Sequence, residues 1–242
     1  MNMDVHGISA GLFRRLISSI YPPYCVICSA PGYNDMDICA NCYQDLPWIG
    51  SSCVQCAIPI PENSGNQIRC GHCLQTPPAF DRSLSLFRYD KEAIRLIHQL
   101  KFNQKLANSR LLGHMLADAI QIQAIALPDC ILPVPLHRRR LKQRGFNQSI
   151  ELARAASRRF NIPLDLKSVL RLRNTQAQSG LDKKQRRKNM RGAFEIARPL
   201  DEYHVAIVDD VVTTQSTANE LARLLKQAGV ERVDVWSIAR VV

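Results

Sequence analysis

Four C-x-x-C pairs between residues 25 and 73 constrain this chain more than any other feature of its sequence. The pairs read CVIC, CANC, CVQC and CGHC, and they are separated by 10, 10 and 13 residues. Two residues between cysteines let both sulfur atoms of a tight turn face one ion, and two such turns complete a tetrahedral zinc site. The sequence therefore predicts two zinc ions, with the ligands Cys25, Cys28, Cys39, Cys42, Cys53, Cys56, Cys70 and Cys73.

The spacing leaves the pairing and the metal open. Sequential pairing, with the first two C-x-x-C pairs on one ion and the last two on the other, is favoured over an interleaved arrangement. Iron–sulfur clusters use the same ligands, and a single C-x-x-C can be a redox dithiol. Zinc is expected to be structural, because a segment this poor in apolar residues needs metal ligation to fold. His72 is interpreted as a turn residue and Cys130 as a small buried hydrophobic residue.

Charge is as unevenly distributed as cysteine. The chain has 242 residues and a net charge of +11, yet residues 1–80 carry three basic and five acidic side chains. Residues 134–198 carry 18 basic and four acidic ones, a net charge of +14. At 46% hydrophobic residues the chain can bury a core, which excludes wholesale disorder.

Membrane insertion and export are not expected. The chain lacks the run of about 18–20 apolar residues that a transmembrane helix needs. Arg14 and Arg15 interrupt the apolar residues near the N-terminus before the hydrophobic region of a signal peptide can form. A cytoplasmic location is predicted, where thiols stay reduced and a metal site is favoured over disulfides.

Beyond Pro77 and Pro78 the chain alternates between predicted strands and helices. The predicted strands cover 83–89, 129–135, 168–172, 193–196, 204–208 and 233–238, and the clearest helices cover 148–160 and 216–228. This α/β pattern predicts a parallel sheet with helices on both faces, whose ligands bind beyond the carboxyl ends of the strands. The expected organisation is an N-terminal helix over 1–22, a double zinc-ribbon module over 23–78 and the α/β domain over 79–242.

The segment from His204 to Thr217, HVAIVDDVVTTQST, carries the clearest indication of chemistry. A hydrophobic strand ends in Asp209 and Asp210, and hydroxyl residues then run into a helix. The N–H groups at a helix N-terminus can hold a phosphate. Paired carboxylates suit the hydroxyls of a ribose, or a divalent cation through water. A ribose 5-phosphate site is predicted, and ordinary hydroxyl capping of the helix is the alternative.

This loop resembles the phosphoribosyl-pyrophosphate (PRPP) motif of type I phosphoribosyltransferases, in which two apolar residues and an acid pair precede T-T-G-S-T. Gln215 stands where that motif has the glycine that lets the backbone approach the 5′-phosphate. The stretches PVPLHRRRLKQRGFNQ (133–148) and TQAQSGLDKKQRRKNMRGAF (175–194) resemble the ComF/GntX group. These are competence-associated phosphoribosyltransferase-like proteins with an N-terminal double zinc ribbon, and the resemblance runs from Cys25 to about Ala239.

The resemblance implies a type I phosphoribosyltransferase-like fold, PRPP binding with Mg²⁺ and a role in DNA uptake during natural transformation. It implies a phosphoribosyltransferase whose acceptor is unknown, with Asp209 and Asp210 as the catalytic pair. The implied PRPP-binding residues are Val134, Pro135, Leu136, His137, Arg138, Arg144, Val211, Val212, Thr213, Thr214, Gln215, Ser216 and Thr217. By the same resemblance, residues 134–137 are the pyrophosphate loop, and the diphosphate is clamped by Arg138, Arg139, Arg140 and Arg144. A flexible loop with Lys183, Lys184, Arg186 and Arg187 closes over the substrate.

A second function class remains open at this point. A non-catalytic competence factor could bind DNA or a protein partner through its basic face and zinc ribbons, with affinity that falls steeply with salt. Single-stranded DNA and other competence proteins, such as a DNA-translocating helicase, are the partners considered. Few aromatic side chains lie near the basic segment, so sequence-specific readout is not expected.

Overall fold

The computed structural model describes residues 22–62, 68–102, 106–174 and 190–242. Residues 1–21 of the predicted N-terminal helix lie outside the described residues, as do Lys183, Lys184, Arg186 and Arg187 of the predicted flexible loop. The chain forms two compact units, one ending at Leu46 and the other covering Pro47–Val242. The predicted boundaries at residues 22 and 78 stay predictions.

From residue 22 onward, the first unit consists of turns around the first two C-x-x-C pairs and one short helix, α1 (Ala40–Gln44). Ile38 of this unit is fully buried. At Gly32 a Cβ atom would come within 2.3 Å of the Met36 carbonyl oxygen, so only glycine fits where these two segments approach. Little apolar surface is available in such a unit, and this favours metal ligation as its main stabilising interaction.

The second unit is organised around a four-stranded parallel sheet. Its strands are β1 (Arg82–Arg88), β2 (Cys130–Pro133), β5 (His204–Val212) and β6 (Arg232–Arg240), in the spatial order β1-β6-β5-β2. Two short strands, β3 (Val169–Arg171) and β4 (Phe194–Ile196), pair antiparallel in a separate sheet. The predicted parallel sheet is confirmed for four strands. The other two have a buried and an exposed side, a pattern that antiparallel pairs accommodate.

Helices cover both faces of the parallel sheet, as predicted. Among the described residues, the helices of the second unit are α2 (Gly71–Gln75), α3 (Lys91–Phe102), α4 (Leu106–Ile122), α5 (Arg138–Arg144), α6 (Gln148–Phe160) and α7 (Ser216–Gln227). Helix α7 packs on β6 and on β4, while α4 and α6 pack together against the other face. Within the described residues, none of these helices combines the length and apolar character needed to cross a membrane.

The core beneath α7 follows from two periodicities. Ala218, Leu221, Ala222 and Leu225 lie three or four residues apart on one side of the helix, and all are buried. They pack on alternate residues of β5 and β6, which point to the same face because side chains alternate along a strand. Each buried leucine contributes roughly 2 kcal/mol. This packing fixes the N-terminus of α7 beside the carboxyl end of β5.

Candidate functional site

The eight predicted ligands form two clusters of four, in sequential pairing. Cys25, Cys28, Cys39 and Cys42 make the first cluster, and Cys53, Cys56, Cys70 and Cys73 make the second, with the sulfur atoms of each within 4.8 Å of one another. The Sγ atoms of Cys28 and Cys39 are 3.6 Å apart, and those of Cys56 and Cys70 are 3.7 Å apart. A tetrahedral site with Zn–S bonds of about 2.3 Å places sulfurs about 3.8 Å apart. Both clusters therefore fit zinc.

The two clusters differ in burial. Cys28 of the first cluster is exposed, whereas Cys53, Cys56 and Cys73 of the second are buried. Burial opposes ionisation of Cys53, but backbone N–H groups, with that of Cys70 foremost, outweigh it and lower the pKa of this thiol to about 7. A thiol that ionises near neutrality is a good metal ligand. Cys130 is buried in β2, as predicted.

The predicted acid pair lies at the carboxyl edge of the parallel sheet. Asp209 and Asp210 are in the second half of β5, and the adjacent strand β2 ends at Pro133, paired with Val208. The pairing continues one residue further, because the Val134 N–H donates to the Val208 carbonyl at 2.9 Å. The acid pair and the predicted pyrophosphate loop, residues 134–137, therefore start side by side.

The two neighbouring carboxylates at this edge repel each other. Burial, together with the neighbouring Asp210 carboxylate, raises the pKa of Asp209 to about 7. The Asp210 N–H donates to Asp209 Oδ1 at 2.9 Å, and Lys101 Nζ lies 2.9 Å from Asp210 Oδ2. Lys101 also lowers the Asp209 pKa, so it acts on both carboxylates. A raised pKa in one member of an acid pair marks a candidate functional site. A bound cation, or hydroxyl groups that donate to the carboxylates, would relieve the repulsion within the pair.

Basic side chains approach the pair from two other elements. Arg171 on β3 is 5.4 Å from the centre of the Phe194 ring, and burial, aided by Arg140, lowers its pKa to about 10, while Asp209 acts in the opposite direction. Burial likewise lowers the pKa of Arg140, and Asp210 opposes that shift. Both guanidinium groups thus interact electrostatically with the acid pair. They supply the kind of donors that bind diphosphate oxygens.

The remaining predicted arginines of α5 differ in exposure. Arg138 and Arg139 are exposed, whereas Arg144 is half-buried. His137 caps this helix, because its Nδ1 accepts a hydrogen bond from the Arg139 N–H at 3.2 Å. Val134 is buried, and Pro135 and Leu136 are half-buried. The Val134 carbonyl accepts from Asn147 Nδ2 at 3.0 Å, which fixes the start of the loop.

The hydroxyl turn joins β5 to α7. It contains Thr213 and Thr214 and leads to Ser216 at the first position of the helix, where the Ser216 and Thr214 hydroxyls lie 2.8 Å apart. Gln215, directly before the helix, has φ 62° and ψ 3°. This is the left-handed conformation that favours glycine. The chain therefore keeps the backbone conformation expected of glycine with a glutamine in its place.

Sequence reasoning missed two residues of this site, Lys101 and Arg171. Lys101 follows the buried Ile97 by four residues on α3, and a cation at such a position is a signal for a buried partner. Arg171 follows Val169 by two residues on a strand, so its side chain points to the buried side. In both cases the signal is a charged residue at a position that the periodicity assigns to the core.

The chemistry of this site also fits a magnesium-bound diphosphate. Asp209 and Asp210 offer the oxygen ligands and hydrogen-bond acceptors that Mg²⁺ with its waters, or a sugar diol, requires. The N–H groups at the start of α7 and the guanidinium groups of Arg140 and Arg171 would face phosphate oxygens. Magnesium bound there would offset the negative charge of the diphosphate.

Fold and site together define a class: a double zinc ribbon followed by a parallel α/β sheet with an acid pair and a hydroxyl turn at its carboxyl edge. The family model described as "double zinc ribbon domain" matches residues 16–74. Matching solved structures include glutamine PRPP amidotransferase from B. subtilis, at 22% identity and a TM-score of 0.35 over 52% of this chain and 25% of that one. Another is a purine phosphoribosyltransferase from Pyrococcus horikoshii, at 18% identity and a TM-score of 0.31 over 55% and 82%.

Curated relatives identify the family. The chain is 37% identical to DNA utilization protein YhgH of Escherichia coli K12 over 224 residues, which cover 90% of this chain and 97% of that protein. It is 38% identical to competence protein F of Haemophilus influenzae over 178 residues, 71% and 78% of the two chains. The chain belongs to the ComF family, which includes these proteins. The resemblance to the ComF/GntX group is thereby confirmed.

Proposed function

We propose that this protein is a ComF-like factor of DNA uptake and utilisation that binds PRPP with Mg²⁺ at the carboxyl edge of its parallel sheet. The observation that carries the proposal is the acid pair at the end of β5, followed by a hydroxyl turn at the N-terminus of α7. The names of its relatives, a DNA utilization protein and a competence protein, support the cellular role.

Each part of PRPP would meet a different set of residues. The ribose hydroxyls would lie against Asp209 and Asp210, and the 5′-phosphate would accept hydrogen bonds in the segment from Thr213 to Thr217. The diphosphate would lie between the loop that starts at Val134 and the guanidinium groups of Arg140 and Arg171. Asp209 must lose its proton to bind a cation or to accept hydrogen bonds from two hydroxyls. Because its pKa is raised to about 7, binding of such a ligand would shift its protonation near neutral pH.

Isothermal titration calorimetry with PRPP and Mg²⁺ tests the proposal directly. The wild type is expected to bind, and the variants Asp209→Asn and Asp210→Asn to bind at least about 100-fold more weakly, since each loses a charged acceptor. Asp201→Asn removes an exposed carboxylate outside the site and is the matched control. Absence of PRPP binding by the wild type, or equal binding by all variants, would contradict the proposal.

The cellular role has a separate readout. In a competent host whose own copy is deleted, the wild-type chain is expected to restore DNA uptake, and the double variant Asp209→Asn with Asp210→Asn to restore it poorly. Full restoration by the double variant would separate the role in DNA uptake from PRPP binding.

A DNA-binding function is the second candidate, and exposed basic residues on α5 favour it. Arg138, Arg139 and Lys142 are exposed, and Arg138 and Lys142 lie four residues apart on one side of the helix. Fluorescence anisotropy with labelled single-stranded DNA over a salt series would test it. Exchange of all three for glutamine is expected to lower the salt slope by about one for each DNA phosphate that the variant no longer neutralises. An unchanged salt slope would show that these residues of α5 do not contact the DNA phosphates.

A further inference from the structure

Arg240 connects the second cysteine cluster with the loop that follows the acid pair. It is the last residue of β6, and its side chain, only 5% exposed, extends along the carboxyl edge of the sheet. Its Nε donates to the carbonyl of Cys56, a ligand of the second cluster, at 3.0 Å. One terminal nitrogen donates to the carbonyls of Val212, at 3.1 Å, and of Thr213. One planar group thus holds a metal-ligand residue and two consecutive residues of the β5–α7 connection.

The bonded carbonyls explain why arginine is needed here. A guanidinium group has five N–H donors in a fixed plane, whereas an ammonium group is a compact point charge. A buried cation is costly unless its surroundings compensate it, and carbonyl dipoles do so only in part. Four thiolates around a Zn²⁺ ion carry a net charge of −2, so a loaded second cluster would supply the missing negative charge.

The second cluster is also held against the sheet independently of Arg240. The Ser83 N–H of β1 donates to the carbonyl of Val54, which lies within the CVQC turn, at 2.9 Å. Gln55 Nε2 of the same turn donates to the Phe80 carbonyl at 3.4 Å. The turn that contains Cys53 and Cys56 is therefore anchored on one side to strand β1 and linked through Arg240 to the loop. Any relaxation of this turn moves an acceptor of Arg240.

We propose that Arg240 is a positioning residue through which zinc in the second cluster orders residues 211–217, from the end of β5 to the start of α7, where part of the PRPP site is proposed. Zinc holds the CVQC turn, the Cys56 carbonyl holds the guanidinium group, and the guanidinium group holds the carbonyls of Val212 and Thr213. The consequence for PRPP affinity rests on the proposed function, whereas the ordering of the loop by zinc does not.

Hydrogen exchange tests the ordering without any substrate. In the zinc-loaded full chain, Arg240→Gln and Arg240→Lys are both expected to speed exchange in residues 211–217 at least tenfold, because lysine keeps the charge but not the set of donors. Arg88→Gln is the matched control, because Arg88 is an exposed arginine at the end of β1, in register with Arg240 on the neighbouring strand. Unchanged exchange in the loop would overturn the proposal. Equally faster exchange from residue 205 onward would overturn it as well, because Arg240 would then support the whole sheet.

Cysteine alkylation measures the same link from the metal side. With a chelator and N-ethylmaleimide, peptide mass spectrometry follows the two clusters separately in one sample. Arg240→Gln is expected to speed alkylation of the second cluster at least tenfold and to leave the first unchanged. In the wild type, the loop is expected to exchange faster as soon as the second cluster has lost its zinc. Equal acceleration of both clusters, or loss of zinc without a change in the loop, would count against the link.

Reciprocity distinguishes this inference from the proposed function. If zinc strengthens PRPP binding by a given factor, PRPP with Mg²⁺ must strengthen zinc binding at the second cluster by the same factor. A factor of at least five is expected for the wild type and close to one for Arg240→Gln. If the wild type binds PRPP but zinc and PRPP do not affect each other's affinity, the inference is overturned and the proposed function is not. Absence of PRPP binding would overturn the proposed function alone, with the exchange and alkylation results still deciding the role of Arg240.

Discussion

The two edges of the parallel sheet differ in how their buried carboxylates are paired. At the amino edge, Asp234 is fully buried and receives two hydrogen bonds of 3.1 Å from Arg232, one on each oxygen, while His204 Nε2 lies 3.2 Å from Oδ2. At the carboxyl edge, Asp209 and Asp210 are adjacent and share the positive charge of Lys101. The first arrangement stabilises the fold. The second places two carboxylates side by side where the proposed ligand binds, and their repulsion costs stability although Lys101, Arg140 and Arg171 offset part of it.

The largest expected effect is at the amino edge. Asp234→Ala should lower the free energy of unfolding by about 3–5 kcal/mol, because it leaves Arg232 facing a buried position without its partner. Chemical denaturation measures the change, with the exposed Asp201→Ala as control. A loss below about 1 kcal/mol would break the comparison, since Asp234 would then contribute no more than a surface charge.

At the carboxyl edge, removal of a carboxylate is expected to stabilise the fold. The folded chain holds the Asp209 proton more tightly than the unfolded chain, because its pKa is raised to about 7. Its contribution to stability is complete at acidic pH and is lost as pH rises from about 4 through about 7. Near pH 8 and without ligand, Asp209→Asn should therefore raise the free energy of unfolding by up to about 4 kcal/mol, with little change near pH 4. Destabilisation by this variant at pH 8 would contradict the charge argument.

The backbone at Gln215 provides a smaller test of the same contrast. A non-glycine residue in the left-handed region costs roughly 1–2 kcal/mol, part of which glycine returns to the unfolded chain as entropy. Gln215→Gly should therefore raise the free energy of unfolding by about 1 kcal/mol. Asn161, with φ 54°, is the control, because asparagine tolerates this region and Asn161→Gly should change little. Equal changes in the free energy of unfolding at the two positions would show that the backbone of Gln215 is no more strained than that of Asn161.

The smallest effect concerns Lys101. Because Lys101 lowers the pKa of Asp209, Lys101→Met should move that pKa further above about 7. Carbon-detected NMR of the aspartate carboxyl groups during a pH titration measures it. If the Asp209 titration did not move, the influence of Lys101 would be confined to Asp210.

The sequence predicts most of the fold because the signals are local. The spacing of the cysteines gives both clusters, and the stripe from Ala218 to Leu225 gives α7. The antiparallel pairing of β3 with β4 is not predictable in this way, because a three-residue strand has no pattern that names its partner. The same limit applies to Arg240, whose partners Cys56 and Val212 are 184 and 28 residues away along the chain. Only the folded sheet brings these residues together.

The strand order β1-β6-β5-β2 has a consequence for how the chain folds during synthesis. Strand β6 lies between β1 and β5, although it follows both along the chain. Until β6 has left the ribosome, β1 and β5 each expose an unpaired edge, and pairing of β1 with β6 closes a loop of about 150 residues. Such non-local pairing is slow and leaves the nascent chain open to aggregation. A second zinc ribbon that folds early, with the Ser83 N–H bonded to Val54, would cover β1 from the side that β6 does not pair, so the edge of β1 that faces β6 stays exposed until synthesis is completed.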